Sequence, residues 1–145
     1  ADAAGAIAMG RYGERLVYEF LQREAAANYK VVWQNEISES FLPYDLELTP
    51  VVPVEADNET KTELRLPVRR VEVKTTLSSK QGFLLSLAEL EEALQCSKAD
   101  SYCSYEVWWV RMPSSRDTLQ CTYTVIKDLT AMLRKQALRL FVQAT

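Results

Sequence analysis

Within the stretch VEVKTT, residues 71–76, a glutamate and a lysine flank a single valine: Glu72, Val73, Lys74. The stretch reads as a β-strand. Side chains alternate across a strand, so Val71 and Val73 share one face and Glu72 and Lys74 the other. A carboxylate and an ammonium on one face reach the same small volume. A second stretch, PYDLELT (43–49), alternates in the same way, with Tyr44, Leu46 and Leu48 on one face and Asp45 and Glu47 on the other. If the two strands pair with apolar faces together, Asp45, Glu72 and Lys74 converge. The same pattern also describes two half-exposed strands whose charged faces meet only solvent.

The chain contains no histidine. Ser–His–Asp and Cys–His chemistry are therefore impossible within it, and so are His-ligated zinc and iron sites. Acid–base work falls to Asp, Glu, Lys, Tyr and Cys, and metal binding chiefly to carboxylate oxygen, which suits Mg²⁺, Mn²⁺ or Ca²⁺. The three cysteines, Cys96, Cys103 and Cys121, form no CxxC pair and leave an odd one over. Reduced thiols in an intracellular protein, nuclear or cytoplasmic, are the expectation. At 145 residues and 48% hydrophobic the chain is expected to be one domain, 1–145, with a core independent of disulfides or metals. A net charge of −3 gives no overall pull towards nucleic acid. No run approaches the roughly 18 apolar residues of a membrane span. The opening ADAAGAIAMG lacks the basic region of a secretory signal. Because the chain does not begin with Met, it is expected to be part of a larger protein, whose other domains would be its partners.

Periodicity supplies the elements that must position these groups. Residues 9–27 read as a helix with Gly13, Leu16, Val17, Phe20 and Leu21 on one stripe. Gly13 lies inside that stripe, where a missing side chain would let the helix approach a sheet closely. Glu14 sits at the stripe's edge, free to turn inward to a site or outward to water. YKVVWQNE (29–36) reads as a first strand, ISESF (37–41) as a turn and PYDLELT as the second strand. Residues 50–66, with Pro50 and Pro53 and a polar middle, read as a long loop or hairpin insert. After the 71–76 strand and a polar turn, residues 83–96 hold a helix. Ser86 and Glu89 mark its start as a capping box, which explains both residues without any further role. SYCSYEVWWVR (101–111) reads as a central strand and LQCTYTVI (119–126) as another. Asp128 reads as the N-cap of a last helix with Leu129, Met132, Leu133, Ala137 and Leu140 as its buried stripe. Helix, three strands, helix, two strands, helix is an α/β order with a mixed sheet flanked by helices.

A helix bearing Glu14, a strand with Pro43-Tyr44-Asp45 and a strand with Glu72-Val73-Lys74 together resemble the PD-(D/E)XK, or restriction-endonuclease-like, nuclease fold. The chain is most similar to one branch, the C-terminal domain of the No Vein protein family. The resemblance is carried by GRYGERLVYEFL (10–21), VVWQNE (31–36), EVKTT (72–76), FLLSLAELEEA (83–93) and YEVWWV (105–110), in that order. It departs in the residue Tyr44 between Pro43 and Asp45 and in the 50–66 insert. The resemblance implies an αβββαβ core. It also implies Mg²⁺ or Mn²⁺ held by Asp45, Glu72 and the carbonyl of Val73, with Glu14 in the outer shell. Glu14, Asp45, Glu72 and Lys74 would be the catalytic set, Lys74 orienting or activating the attacking water. The implied activity is metal-dependent phosphodiester hydrolysis on DNA or RNA. The alternatives are a nuclease-fold module that no longer cuts and serves as an interaction or scaffold domain, or a regulatory cation site without hydrolysis. For a nucleic-acid partner, Arg69, Arg70, Lys80, Arg111 and Arg116 are the candidate phosphate contacts.

Overall fold

The computed structural model describes residues 3–51, 66–113 and 120–141. Its elements run α1 (Ala3–Glu24), β1 (Tyr29–Trp33), β2 (Leu46–Pro50), β3 (Val68–Leu77), α2 (Leu87–Cys96), β4 (Cys103–Met112), β5 (Thr122–Ile126) and α3 (Leu129–Arg134). The expected order of elements and the α/β class are what the chain adopts. Among the described residues one five-stranded sheet has the order β1-β2-β3-β4-β5. β3 and β4 run parallel, and every other neighbouring pair is antiparallel. A parallel pair needs a crossover, and α2 is the helix within it. Among the described residues no helix is long and apolar enough to cross a membrane.

Strand alternation sorts the core into two layers. On one face Val17 and Leu21 of α1, with Ala25, bury Leu46, Leu48, Val71, Val73, Trp108 and Val110. On the other, Ala93 of α2 and Leu129 of α3 cover Tyr105, Val107 and Ile126. Val71 and Val73 thus face α1, which leaves Glu72 and Lys74 towards α2. Gly13 is the contact point of α1 with β3: a Cβ there would sit 1.8 Å from the Thr75 Oγ1. The absent side chain is what brings the helix down onto the strand, as its place in the apolar stripe requires.

Several boundaries differ from the sequence reading, each for a local reason. α1 starts at Ala3 rather than residue 9, because the alanine-rich leader is itself a strong helix former. It stops at Glu24 rather than residue 27, where the amides of Asn28 and Tyr29 turn back onto the Ala25 carbonyl. β1 ends at Trp33; the Gln34 amide still bonds to the Asp45 carbonyl at 2.8 Å, but the carbonyls of Asn35 and Glu36 accept from the Arg11 guanidinium of α1. β4 is interior but lies one strand from the centre, which β3 occupies. The Ser86–Glu89 capping box and the Asp128 N-cap are both formed. α3, however, closes at Arg134, since Gln136 takes φ 59 and the Ala137 amide bonds back to the Met132 carbonyl. Ala137 and Leu140 therefore leave the expected stripe; Leu140 is 58% exposed, and Leu138 packs in its place. Residues 52–65 of the expected insert lie outside the described residues, as does Arg116.

Candidate metal centre

The centre is built where β2 and β3 part. Their ladder pairs Leu46 with Val71, and that register carried one step further would set Asp45 opposite Glu72. Instead the Asp45 amide donates to the Val71 carbonyl at 2.9 Å, a slip of one residue. A slip of this kind re-aims side chains, as a bulge does. Tyr44 is turned to the α2 side, where its ring lies under the Arg70 guanidinium, 5.0 Å away. The expectation that Tyr44 shares a face with Leu46 and Leu48 fails here, because strict alternation holds only within β2, from Leu46 onward. The Asp45 carboxylate then fills the gap left by β2: its Oδ2 accepts from the Val73 amide at 2.8 Å. A residue in an extended strand points N–H and C=O to the same edge, so the Val73 carbonyl looks out beside Asp45.

Glu72 is 4% exposed and lies within hydrogen-bonding reach of Asp45. Lys74 follows on the same face, its Nζ 3.8 Å from Glu72 Oε2 and 2.7 Å from Glu89 Oε1. Glu89 accepts in addition from the Ser86 amide at 2.8 Å, so one carboxylate both caps α2 and holds the lysine. Burial pushes the Asp45 carboxyl up to about 7, with the charge of Glu14 adding to the rise against hydrogen bonds from Glu72 and the Val73 amide. Burial, then the charge of Asp45, raises Glu72 still further. Burial raises Glu89 as well, but hydrogen bonds from Glu72, Lys74 and the Ser86 amide outweigh it and hold that carboxyl below its ordinary value. Burial and mutual repulsion thus favour the protonated form of the Asp45–Glu72 pair, and the carboxylate nearest to Lys74 is Glu89.

Glu14 approaches from the α1 side. Its Oε1 accepts from the Trp33 indole at 3.1 Å and from Asn35 Nδ2 at 2.9 Å. The same Asn35 amide donates to Asp45 Oδ1 at 2.8 Å, and its Oδ1 accepts from the amide and hydroxyl of Ser40. Asn35, 3% exposed, is thus the strap between the helix glutamate and the strand aspartate. Sequence reasoning passed over it because an asparagine entering a turn needs no other explanation. It equally left Glu89 as a cap, since a pairing with Lys74 across the sheet has no local signature.

Glu14, Asp45, Glu72 and Lys74 are therefore neighbours, but not equivalent ones. Among the described residues, Glu14, Asp45, Glu72 and Glu89 do not supply three carboxylate oxygens within 4.8 Å of one another, although Asp45 lies within hydrogen-bonding reach of both Glu72 and Glu14. Two carboxylates made costly to ionise by burial and by each other, beside the Val73 carbonyl, are hard oxygen donors of the kind a divalent cation takes. Asp45 and Glu72 are donors of the kind that Mg²⁺ or Mn²⁺ takes, and Glu14 reaches Asp45 from the α1 side.

The candidate phosphate contacts are mostly engaged elsewhere. Arg69 makes a bidentate pair with buried Glu106, at 2.5 and 2.8 Å. Arg70 is paired with Glu92 of α2 and lies 3.4 Å from Glu47. Arg111 lies over the Trp109 ring, 3.9 Å from its centre, and Lys80 is exposed.

Compared with known proteins, no curated protein and no solved structure matches the chain. The sequence model of the family described as "Protein NO VEIN, C-terminal" does match, over residues 13–121, a span that takes in Glu14, Asn35, Asp45, Glu72, Lys74 and Glu89. The chain belongs to the No Vein C-terminal family.

Proposed function

We propose that this domain is a Mg²⁺- or Mn²⁺-dependent phosphodiester hydrolase of the PD-(D/E)XK type, acting on DNA or RNA. The observation that carries the reading is the buried Asp45–Glu72 pair with Lys74 on the same sheet face. Asp45, Glu72 and the Val73 carbonyl would hold the cation, and Glu14, acting through Asn35, would sit in its outer shell. When bound, such a cation lowers the pKa of water and offsets charge growing on the phosphodiester. To receive it, any proton held by Asp45 or Glu72 has to leave. Lys74 presents an ammonium at the same place, held in position by Glu89 and able to orient a water or meet a phosphate oxygen. Asn35 fixes the Asp45 carboxylate, so that its position does not depend on the ion.

A second reading has its own observation. Glu72 is nearly inaccessible, Lys74 is tied to Glu89, and Arg69 and Arg70 are neutralised by Glu106 and Glu92. A domain with its cations so engaged would serve as an interaction module within a larger protein. Purified domain assayed on single- and double-stranded DNA and RNA, with Mg²⁺ or Mn²⁺, separates the two. Hydrolysis is expected, suppressed by Glu72→Ala and by Lys74→Ala, with only Glu72→Ala also removing a Mn²⁺-induced rise in melting temperature. No cleavage of any substrate would leave the interaction module. Cleavage undiminished by Glu72→Ala would place the activity outside this site.

A further inference from the structure

Cys96 closes α2 and Cys103 opens β4, and their sulfurs lie 2.7 Å apart. Both line a cavity of about 100 Å³ whose wall includes Ser104, Tyr105 and Lys127. Glu92, one turn before Cys96, completes a set of three ligand atoms within 4.8 Å of one another. Two chemistries compete for such a set. A tetrahedral zinc ion with Zn–S of about 2.3 Å would need the sulfurs roughly 3.7 Å apart, and so would have to spread them. It would also have to take Glu92 from Arg70, with which it is already paired. A disulfide needs about 2.05 Å, a smaller movement inward that leaves the Arg70–Glu92 pair untouched. The geometry points to Cys96 and Cys103 as a reversible dithiol–disulfide site, oxidised by a low-molecular-weight disulfide that reaches the sulfurs through the cavity.

The exchange balances in two steps. The Cys103 thiolate attacks one sulfur of the small disulfide, forming a mixed disulfide and releasing one small thiolate. Cys96, having lost its proton to solvent, then attacks the Cys103 sulfur and expels the second small thiolate. The protein loses two hydrogens overall, and the small disulfide is reduced to two thiols. Cys103 acts first because burial, together with Cys103 itself and Glu92, holds the Cys96 thiol up. The bond ties the end of α2 to the sheet. α2 carries Glu89 and Glu92, the partners of Lys74 and Arg70. Oxidation would thus clamp the helix that holds both cations.

The test uses the reduced domain in EDTA, equilibrated with oxidised glutathione and followed by intact mass, thiol alkylation and peptide mapping. The alkylatable thiols should fall from three to one, with Cys121 the survivor, and the melting temperature should rise by about 4–8 °C. Cys96→Ser should stop at one glutathione on Cys103. Cys103→Ser should form no internal bond, and Cys121→Ser should behave as wild type. Three thiols persisting in the oxidised buffer, a bond mapped to Cys121, or a cross-link between molecules would overturn the assignment.

Discussion

The carboxylate of Asp45 stands in for a strand: its Oδ2 takes the Val73 amide at 2.8 Å at the point where β2 has left β3. Asp45 therefore has a structural duty alongside any ligand role, and the two are separable by substitution. Asp45→Ala leaves the Val73 amide and one arm of Asn35 without their acceptor, which costs about 1–3 kcal/mol. Asp45→Asn removes the charge that repels Glu72 and Glu14 and retains one acceptor oxygen. Chemical denaturation in EDTA should find Asp45→Ala less stable than wild type and Asp45→Asn at least as stable. Both should lose any thermal response to Mn²⁺. Equal destabilisation by the two would mean that charge repulsion in the pair is negligible.

The pH dependence of stability follows from the same pair. Carboxyls of an unfolded chain titrate near about 4, whereas Asp45 in the fold is raised to about 7 and Glu72 is raised further. The fold binds these protons more tightly than the unfolded chain does. The resulting stabilisation is complete below the unfolded value and is lost as pH rises through the folded values. Melting temperatures of the metal-free domain should accordingly fall between about pH 5 and 8. Glu72→Gln, which keeps a hydrogen-bonding group without titrating, should flatten that fall. Mn²⁺ should act in the opposite sense, its thermal shift growing with pH as the displaced proton becomes easier to lose. A metal-free profile rising from pH 5 to 8 would contradict the crowded pair.

Gly13 and Thr75 form a second coupled pair. A Cβ at Gly13 would meet Thr75 Oγ1 at 1.8 Å, and that hydroxyl is buried without a hydrogen-bond partner among the described residues. Gly13→Ala should destabilise by about 1–3 kcal/mol despite the better helix propensity of alanine. Thr75→Ala removes the obstructing oxygen, so the double variant should be less destabilised than the sum of the single changes predicts. Strict additivity in urea denaturation would show that α1 does not press on β3 at this point.

The parts legible in the sequence are those written in local pattern. The alternation of Val71, Glu72, Val73 and Lys74 placed each side chain on its observed face, and Ser86, Glu89 and Asp128 announced their helix starts. The misreadings share a cause: each depended on a partner distant in the chain or on a backbone turn without its usual residue. Alternation sets Asp45 on the face of Glu47, but a one-residue slip against Val71 aims it. α3 ends through positive φ at Gln136, where a glycine would have given warning. Arg69 and Arg70 looked free because Glu106 and Glu92 reach them only once β4 and α2 are folded over the sheet. Asn35 and Glu89 each have an ordinary local use that conceals a second one.

Glu89 gives the means to divide those two uses. As the third helical residue of a capping box it accepts from the Ser86 amide, and glutamine performs that task nearly as well. As the partner of Lys74 it supplies a charge that glutamine lacks. Ser86→Ala should cost about 0.5–2 kcal/mol of stability and leave hydrolysis unchanged at temperatures where the domain is folded. Glu89→Gln should change stability little but alter the turnover of any hydrolysis, because Lys74 then loses its charged anchor and turns towards Glu72. Rates should be compared at saturating Mn²⁺, so that a change in ion affinity is not read as a change in the lysine. If Ser86→Ala and Glu89→Gln lower activity only in proportion to lost folded protein, Glu89 is a cap alone. If Glu89→Gln changes turnover in a fully folded domain, the helix α2 sets the chemistry of Lys74.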